Sequence, residues 1–150
     1  MSMGKAYPLQ KNYFQFLPLL IWMSIIFFLS HQPGEDSKAL SDWMVYLLNV
    51  FQLEVETLKA LNIPFIIRKA AHFTVYGILF LFAYVACMGN QDRNKQIVLS
   101  FVITLVYAIS DEIHQVFIPG RVGHYTDVLI DMAGALGAYL GLEFFRSRLR

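Results

Sequence analysis

Four runs of apolar residues, each long enough to cross the hydrocarbon of a bilayer, decide what this chain can fold into. They cover approximately residues 14–30, 68–88, 97–118 and 127–145. As helices rising 1.5 Å per residue they are about 25–33 Å long, which matches the apolar thickness of a membrane. Composition agrees, with 57% apolar and only 15% charged residues, where a soluble domain carries about a quarter charged residues. A length of 150 residues amounts to one domain. The expectation is an all-α integral membrane four-helix bundle, spanning 1–150 as a single unit.

Other classes drop out. A net charge of +1 offers no basic surplus for phosphates, so a nucleic-acid partner is not expected. Cys87 is the only cysteine, which excludes an internal disulfide and a CxxC redox or zinc pair. Lys5 and Lys11 ahead of the first run resemble the start of a secretory signal. However, His31-Gln32-Pro33-Gly34-Glu35 after it holds no small-x-small cleavage pattern. A retained first span is expected, with Pro18 in its first turn, where a missing N–H does little harm.

The connections differ in kind. Gly89 to Asn94 is a short polar loop, and Pro119-Gly120-Arg121-Val122-Gly123 is a turn. Between spans one and two, Leu40, Trp43, Met44, Leu47, Leu48 and Phe51 recur at helical spacing opposite Asp42, Asn49, Gln52 and Glu56. That pattern predicts a short amphipathic helix over 40–53, lying on the membrane or against the bundle. Asn62 and Pro64 read as the start of span two. With the N-terminus inside, Lys5, Lys11, Arg93, Lys95, Arg146, Arg148 and Arg150 fall on the cytoplasmic side, and Lys38, Lys59, Arg68, Lys69 and Arg121 outside. The excess of basic residues inside predicts a multi-pass protein of the cell membrane with both termini in the cytoplasm.

That orientation collects the polar residues of three spans at one depth, near the outer face. Arg68, His72 and Tyr76 share a helix face at i, i+4, i+8; Asp111 and Gln115 do so on span three, Asp127 and Asp131 on span four. Each charge at mid-membrane disfavours insertion by roughly 2.5–3.5 kcal/mol. Singly, most have an ordinary explanation: a snorkelling pair at Arg68-Lys69, a helix cap at Asp127, a satisfied core histidine at His72. Together they point to a site. The expected ligand-binding set is Arg68, Lys69, His72, Tyr76, Asp111, Glu112, Gln115, Arg121, Asp127 and Asp131, and the catalytic candidates are Asp111, Glu112, His72 and His114. No cofactor or metal is assigned by the sequence. Gly134, Ala138 and Gly141 lie about one turn apart, and Gly137-x-x-x-Gly141 is a small-xxx-small pattern; they serve close packing, within the bundle or between chains as a homo-oligomer contact.

Three motifs carry a resemblance: Arg68-Lys69-x-x-His72-x-x-x-Tyr76; Ser110-Asp111-Glu112-x-His114-Gln115-x-Phe117-x-Pro119-Gly120-Arg121; and Asp127-x-x-x-Asp131-x-x-Gly134. In order and spacing they resemble the VanZ-like membrane proteins over roughly residues 18–145, although many members have Asn where this chain has Asp131. The resemblance implies a cell-envelope location and a link to tolerance of teicoplanin, a glycopeptide antibiotic. Three functions fit these residues. The first is binding of a membrane lipid or lipid-linked cell-wall precursor by its anionic head group, since guanidinium suits phosphate. The second is a membrane hydrolase or transferase, metal-assisted through the carboxylates. The third is a small transporter.

Overall fold

The computed structural model describes residues 13–35, 39, 42–43, 46–47, 62–88 and 92–149. Every element named among them is helical. A single 3-10 turn, Tyr13–Phe16, runs into α1, Leu17–Ser30; α2 covers Ile63–Ala86, α3 Arg93–Val116 and α4 Tyr125–Arg148. The first span is 18 residues long with its leading turn, and the other three are 24 each. All four are long and apolar enough to cross a membrane. Helices suit that medium because each satisfies its own backbone hydrogen bonds. The amphipathic helix expected over 40–53 lies largely outside the described residues, as does the loop 89–91.

Local chemistry sets the ends. Asn62 takes a left-handed conformation, its carbonyl accepts from the N–H groups of Phe65 and Ile66, and Pro64 follows in the first turn. Span two therefore starts about a turn earlier than its apolar run suggests. The Asp92 side chain caps α3. At its other end, Phe117 and Ile118 donate to His114 and Gln115 three residues back, tightening the chain into the turn before Pro119. Gly120 sits at φ +74°, a conformation that favours glycine.

α2 is central, and its most extensive contact is with α4. Lys69 meets Asp127 and His72 meets Asp131, so the two helices run parallel. Close approach is possible because Gly134 lies against the backbone of Phe73, and Gly77 lies against the carbonyl of Gly134. α3 packs antiparallel to both. α1 is tied across α2 and α3 by polar contacts. Gln15 donates to the Ala86 carbonyl (3.1 Å), Trp22 Nε1 to the Val75 carbonyl (3.0 Å), and the Tyr107 hydroxyl to the Met23 carbonyl.

The distribution of residues is the reverse of a soluble protein's. Leu20, Ile21, Phe28, Val98, Val106, Leu129 and Leu140 stand on the outside, while Asp111, Glu112, Gln115, Asp127 and Asp131 are buried. One half of the interior is aromatic and uncharged: Phe80 packs on Phe101 with ring centres 4.6 Å apart, Tyr139 closes over both, and the buried Gln96, Ser100 and Thr104 donate to helix carbonyls. Arg93 pairs with Glu143 at the same end of the bundle. The buried charges gather at the opposite end.

Candidate functional site

At that end the four helices enclose a cavity of about 330 Å³, lined by residues of all four and of the turn between α3 and α4. A volume of this order holds a small molecule or a head group. Its charged lining is Arg68 and Lys69 from α2, Asp111 from α3, Arg121 from the turn and Asp127 from α4; His72, Tyr76 and Gln115 line it too. Ile26, Leu29, Phe65, Val75 and Val122 supply apolar wall.

Asp111 is the most heavily bonded of the carboxylates. Its Oδ2 accepts from Ser30 (2.9 Å), Tyr76 (3.0 Å) and Gln115 (3.2 Å). Three neutral donors from α1, α2 and α3 thus take the place that water would have around a carboxylate, and they fix the pocket wall. Ser30 is a partner the apolar run hid, because it reads as the end of span one. Asp127 sits in the first turn of α4, where the helix N-terminus favours an anion, and pairs with Lys69.

The three cations have different duties. Lys69 is engaged by Asp127. Arg121 donates from Nε to the Gln32 carbonyl (2.8 Å) and from Nη2 to the Leu29 carbonyl (3.1 Å), closing the C-terminal end of α1. Burial pulls the Arg121 guanidinium below its ordinary value; Asp111 opposes that pull and Arg68 adds to it. Arg68 is exposed, lines the pocket, and lies over the ring of Phe65 at 5.9 Å; among the described residues it has no acidic partner.

Beside the pocket lies a second group. His72 Nδ1 is 3.1 Å from Asp131 Oδ1, and Glu112 Oε2 accepts from the backbone N–H of His124 at 2.8 Å. Glu112 and Asp131 do not line the cavity itself, but they meet His72, which does. His114 lies elsewhere. Its Nε2 is 3.2 Å from Nδ1 of His31, and its ring packs on Phe27 of α1. It therefore sits outside the group around His72, as its spacing two residues after Glu112 on one helix would have it. His124, which the sequence reading left out of the site, lines the pocket.

Four membrane-crossing helices around a buried polar pocket make this a multi-pass integral membrane protein. The VanZ/LLP1 family model matches residues 15–146, nearly the whole chain, and the protein belongs to that family of cell-envelope membrane proteins. No curated protein and no solved structure gives a significant match.

Proposed function

We propose that the pocket takes the anionic head group of a membrane lipid or lipid-linked cell-wall precursor, and that it opens on the outer face of the membrane. The observation that carries the reading is Arg68. It is a guanidinium at the mouth of a head-group-sized cavity, without an acidic partner among the described residues, between apolar walls suited to an acyl or prenyl chain. The orientation rests on the basic residues: Arg93, Arg146 and Arg148 stand at the end opposite the pocket, where the cytoplasmic excess belongs. In the envelope, sequestering or screening such a precursor is a route to the glycopeptide tolerance associated with the family's namesake.

The test is thermal unfolding of the protein in mild detergent with a polyprenyl phosphate, the matching uncharged polyprenol, and inorganic phosphate. The phosphate-bearing lipid should raise the midpoint, and the polyprenol should not. Arg68→Met should weaken binding roughly tenfold, the equivalent of about 1.4 kcal/mol, with the unliganded midpoint unchanged. An equal response to polyprenol, or unaltered binding by Arg68→Met, refutes the reading.

A membrane-embedded hydrolase or transferase is the second reading, favoured by the buried carboxylates and imidazole beside the pocket. Release of inorganic phosphate from a polyprenyl diphosphate by the purified protein separates it from a binding role.

A further inference from the structure

His72 of α2, Glu112 of α3 and Asp131 of α4 each offer a ligand atom, and the three atoms lie within 4.8 Å of one another. A second observation concerns what these side chains lack. Glu112 Oε1 and Asp131 Oδ2 are both closed off from solvent with no hydrogen-bond partner among the described residues. Glu112 is 7% exposed and Asp131 fully buried. A buried carboxylate oxygen without a donor bears its desolvation uncompensated, and two such groups converging also repel each other. The neighbouring Asp111, by contrast, has three donors. The same fold that satisfies one carboxylate so fully leaves an oxygen bare on each of two others.

We infer that His72, Glu112 and Asp131 hold a divalent transition-metal ion beside the pocket. Two carboxylates and one imidazole form a mixed oxygen and nitrogen set, which suits Zn²⁺ or Mn²⁺ better than Mg²⁺ or Ca²⁺, whose preferred ligands are oxygens alone. The other oxygen of Glu112, Oε2, is held from outside the group by the His124 N–H, as metal ligands usually are, and the His72–Asp131 contact keeps these two side chains together. Three protein ligands leave coordination positions for water or a ligand oxygen, and His72 connects the ion to the cavity.

Charge gives the ion a second role. Arg68, Lys69 and Arg121 supply three positive charges against the four negative charges of Asp111, Glu112, Asp127 and Asp131. A divalent ion turns that deficit of one into a surplus of one, the condition an anionic head group needs. This consequence rests on the proposed function; the metal site itself does not.

The experiment uses the whole chain in mild detergent, stripped with a chelator and then given Zn²⁺, Mn²⁺ or Mg²⁺, with metal content and thermal midpoint measured together. The expected result is about one Zn²⁺ or Mn²⁺ per chain, a midpoint that rises with either metal, and none with Mg²⁺. The variant Glu112→Gln/Asp131→Asn should bind no metal and show a flat midpoint. Its metal-free midpoint should equal or exceed that of the stripped wild type, since two buried charges are gone. Co²⁺ gives a reading independent of the variants: wild-type protein should develop visible d–d absorption as Co²⁺ binds, and Zn²⁺ should displace it. A stripped wild type indifferent to Zn²⁺ and Mn²⁺, a double variant that still binds, or Co²⁺ that stays spectroscopically free would each overturn the site. A protein that binds Zn²⁺ but ignores polyprenyl phosphate supports the metal site and overturns only the anion reading.

Discussion

At the scale of single residues, formal charge is a poor guide to role, and position within the bond network is a better one. Arg68 and Arg121 read alike in the sequence, as guanidinium groups near the outer ends of spans. The fold assigns Arg121 to the Leu29 and Gln32 carbonyls, and leaves Arg68 over an aromatic ring at the pocket mouth. Arg121→Met should therefore lower the thermal midpoint by freeing the end of α1, whereas Arg68→Met should leave it within error. A midpoint loss confined to Arg68→Met would reverse the assignment. Asp111 offers a sharper contrast. Asp111→Leu strips the acceptor from Ser30, Tyr76 and Gln115 together and, at about 1–3 kcal/mol for each buried group left unsatisfied, should cost several kcal/mol. Tyr76→Phe, which removes one donor, should cost less, about 0.5–1.5 kcal/mol, as hydrogen bonds between membrane helices do. Chemical or thermal unfolding of the two variants beside the wild type checks the order. The i, i+4 spacing showed that Arg68, His72 and Tyr76 share a face, as do Asp111 and Gln115. It could not show Ser30 or the His124 N–H as partners, because a lone serine at a span end and a backbone amide carry no pattern.

At the scale of elements, helix length and apolarity were legible because a membrane leaves few alternatives, and the start of span two was legible at Asn62 and Pro64, whereas the apolar run put the start of span three at 97, four residues past the helix start that the Asp92 cap sets. Which helices touch most closely was less legible. Gly134, Gly137, Ala138 and Gly141 read as small packing residues of α4, within the bundle or between chains, and of these Gly134 makes the tightest approach, against the Phe73 backbone. Gly137 faces the Phe73 ring, and around Gly141 there is open space. Spacing marks a face but not which turn of it meets the neighbour, since that depends on the relative height of two helices. Gly134→Val places a branched side chain against backbone that cannot yield, so α2 and α4 must separate. That shift should disturb the Lys69–Asp127 and His72–Asp131 contacts together, lowering the midpoint by roughly 5–15 °C, the effect of about 2–4 kcal/mol in a domain this size. Gly141→Leu should leave the monomer's midpoint unchanged. Measured by light scattering in detergent, it also reports on self-association: a fall in oligomer size would locate a contact between chains at Gly141.

At the scale of the whole molecule, the fold sorts its charges into two ends, and the membrane gives those ends different meanings. One end holds Arg93 paired with Glu143, together with Arg146 and Arg148; the other holds the pocket. The proposed orientation puts the first end in the cytoplasm, on the basic-residue rule, by seven lysines and arginines to five. A margin of two is decided by position more than by number, since Arg68, Lys69 and Arg121 adjoin the buried carboxylates and belong to the pocket. Discounting Lys69, which Asp127 neutralises, and Arg121, which two carbonyls of the α1 end take up, sharpens the asymmetry to seven against three. The orientation is tested with single cysteines in a Cys87→Ser background. Val122, 67% exposed in the turn beside the pocket, is preferable to its neighbour Gly123, where a Cβ would meet the Glu112 carbonyl at 2.6 Å. Leu149, 89% exposed after α4, marks the other end. On intact cells an impermeant thiol reagent should label Val122→Cys and spare Leu149→Cys until the cells are opened. The reverse pattern would move the pocket to the cytoplasmic face, where it would meet cytosolic phosphates and precursors still being assembled. The same chemistry would then have a different substrate pool, and the extracellular route to glycopeptide tolerance would be lost.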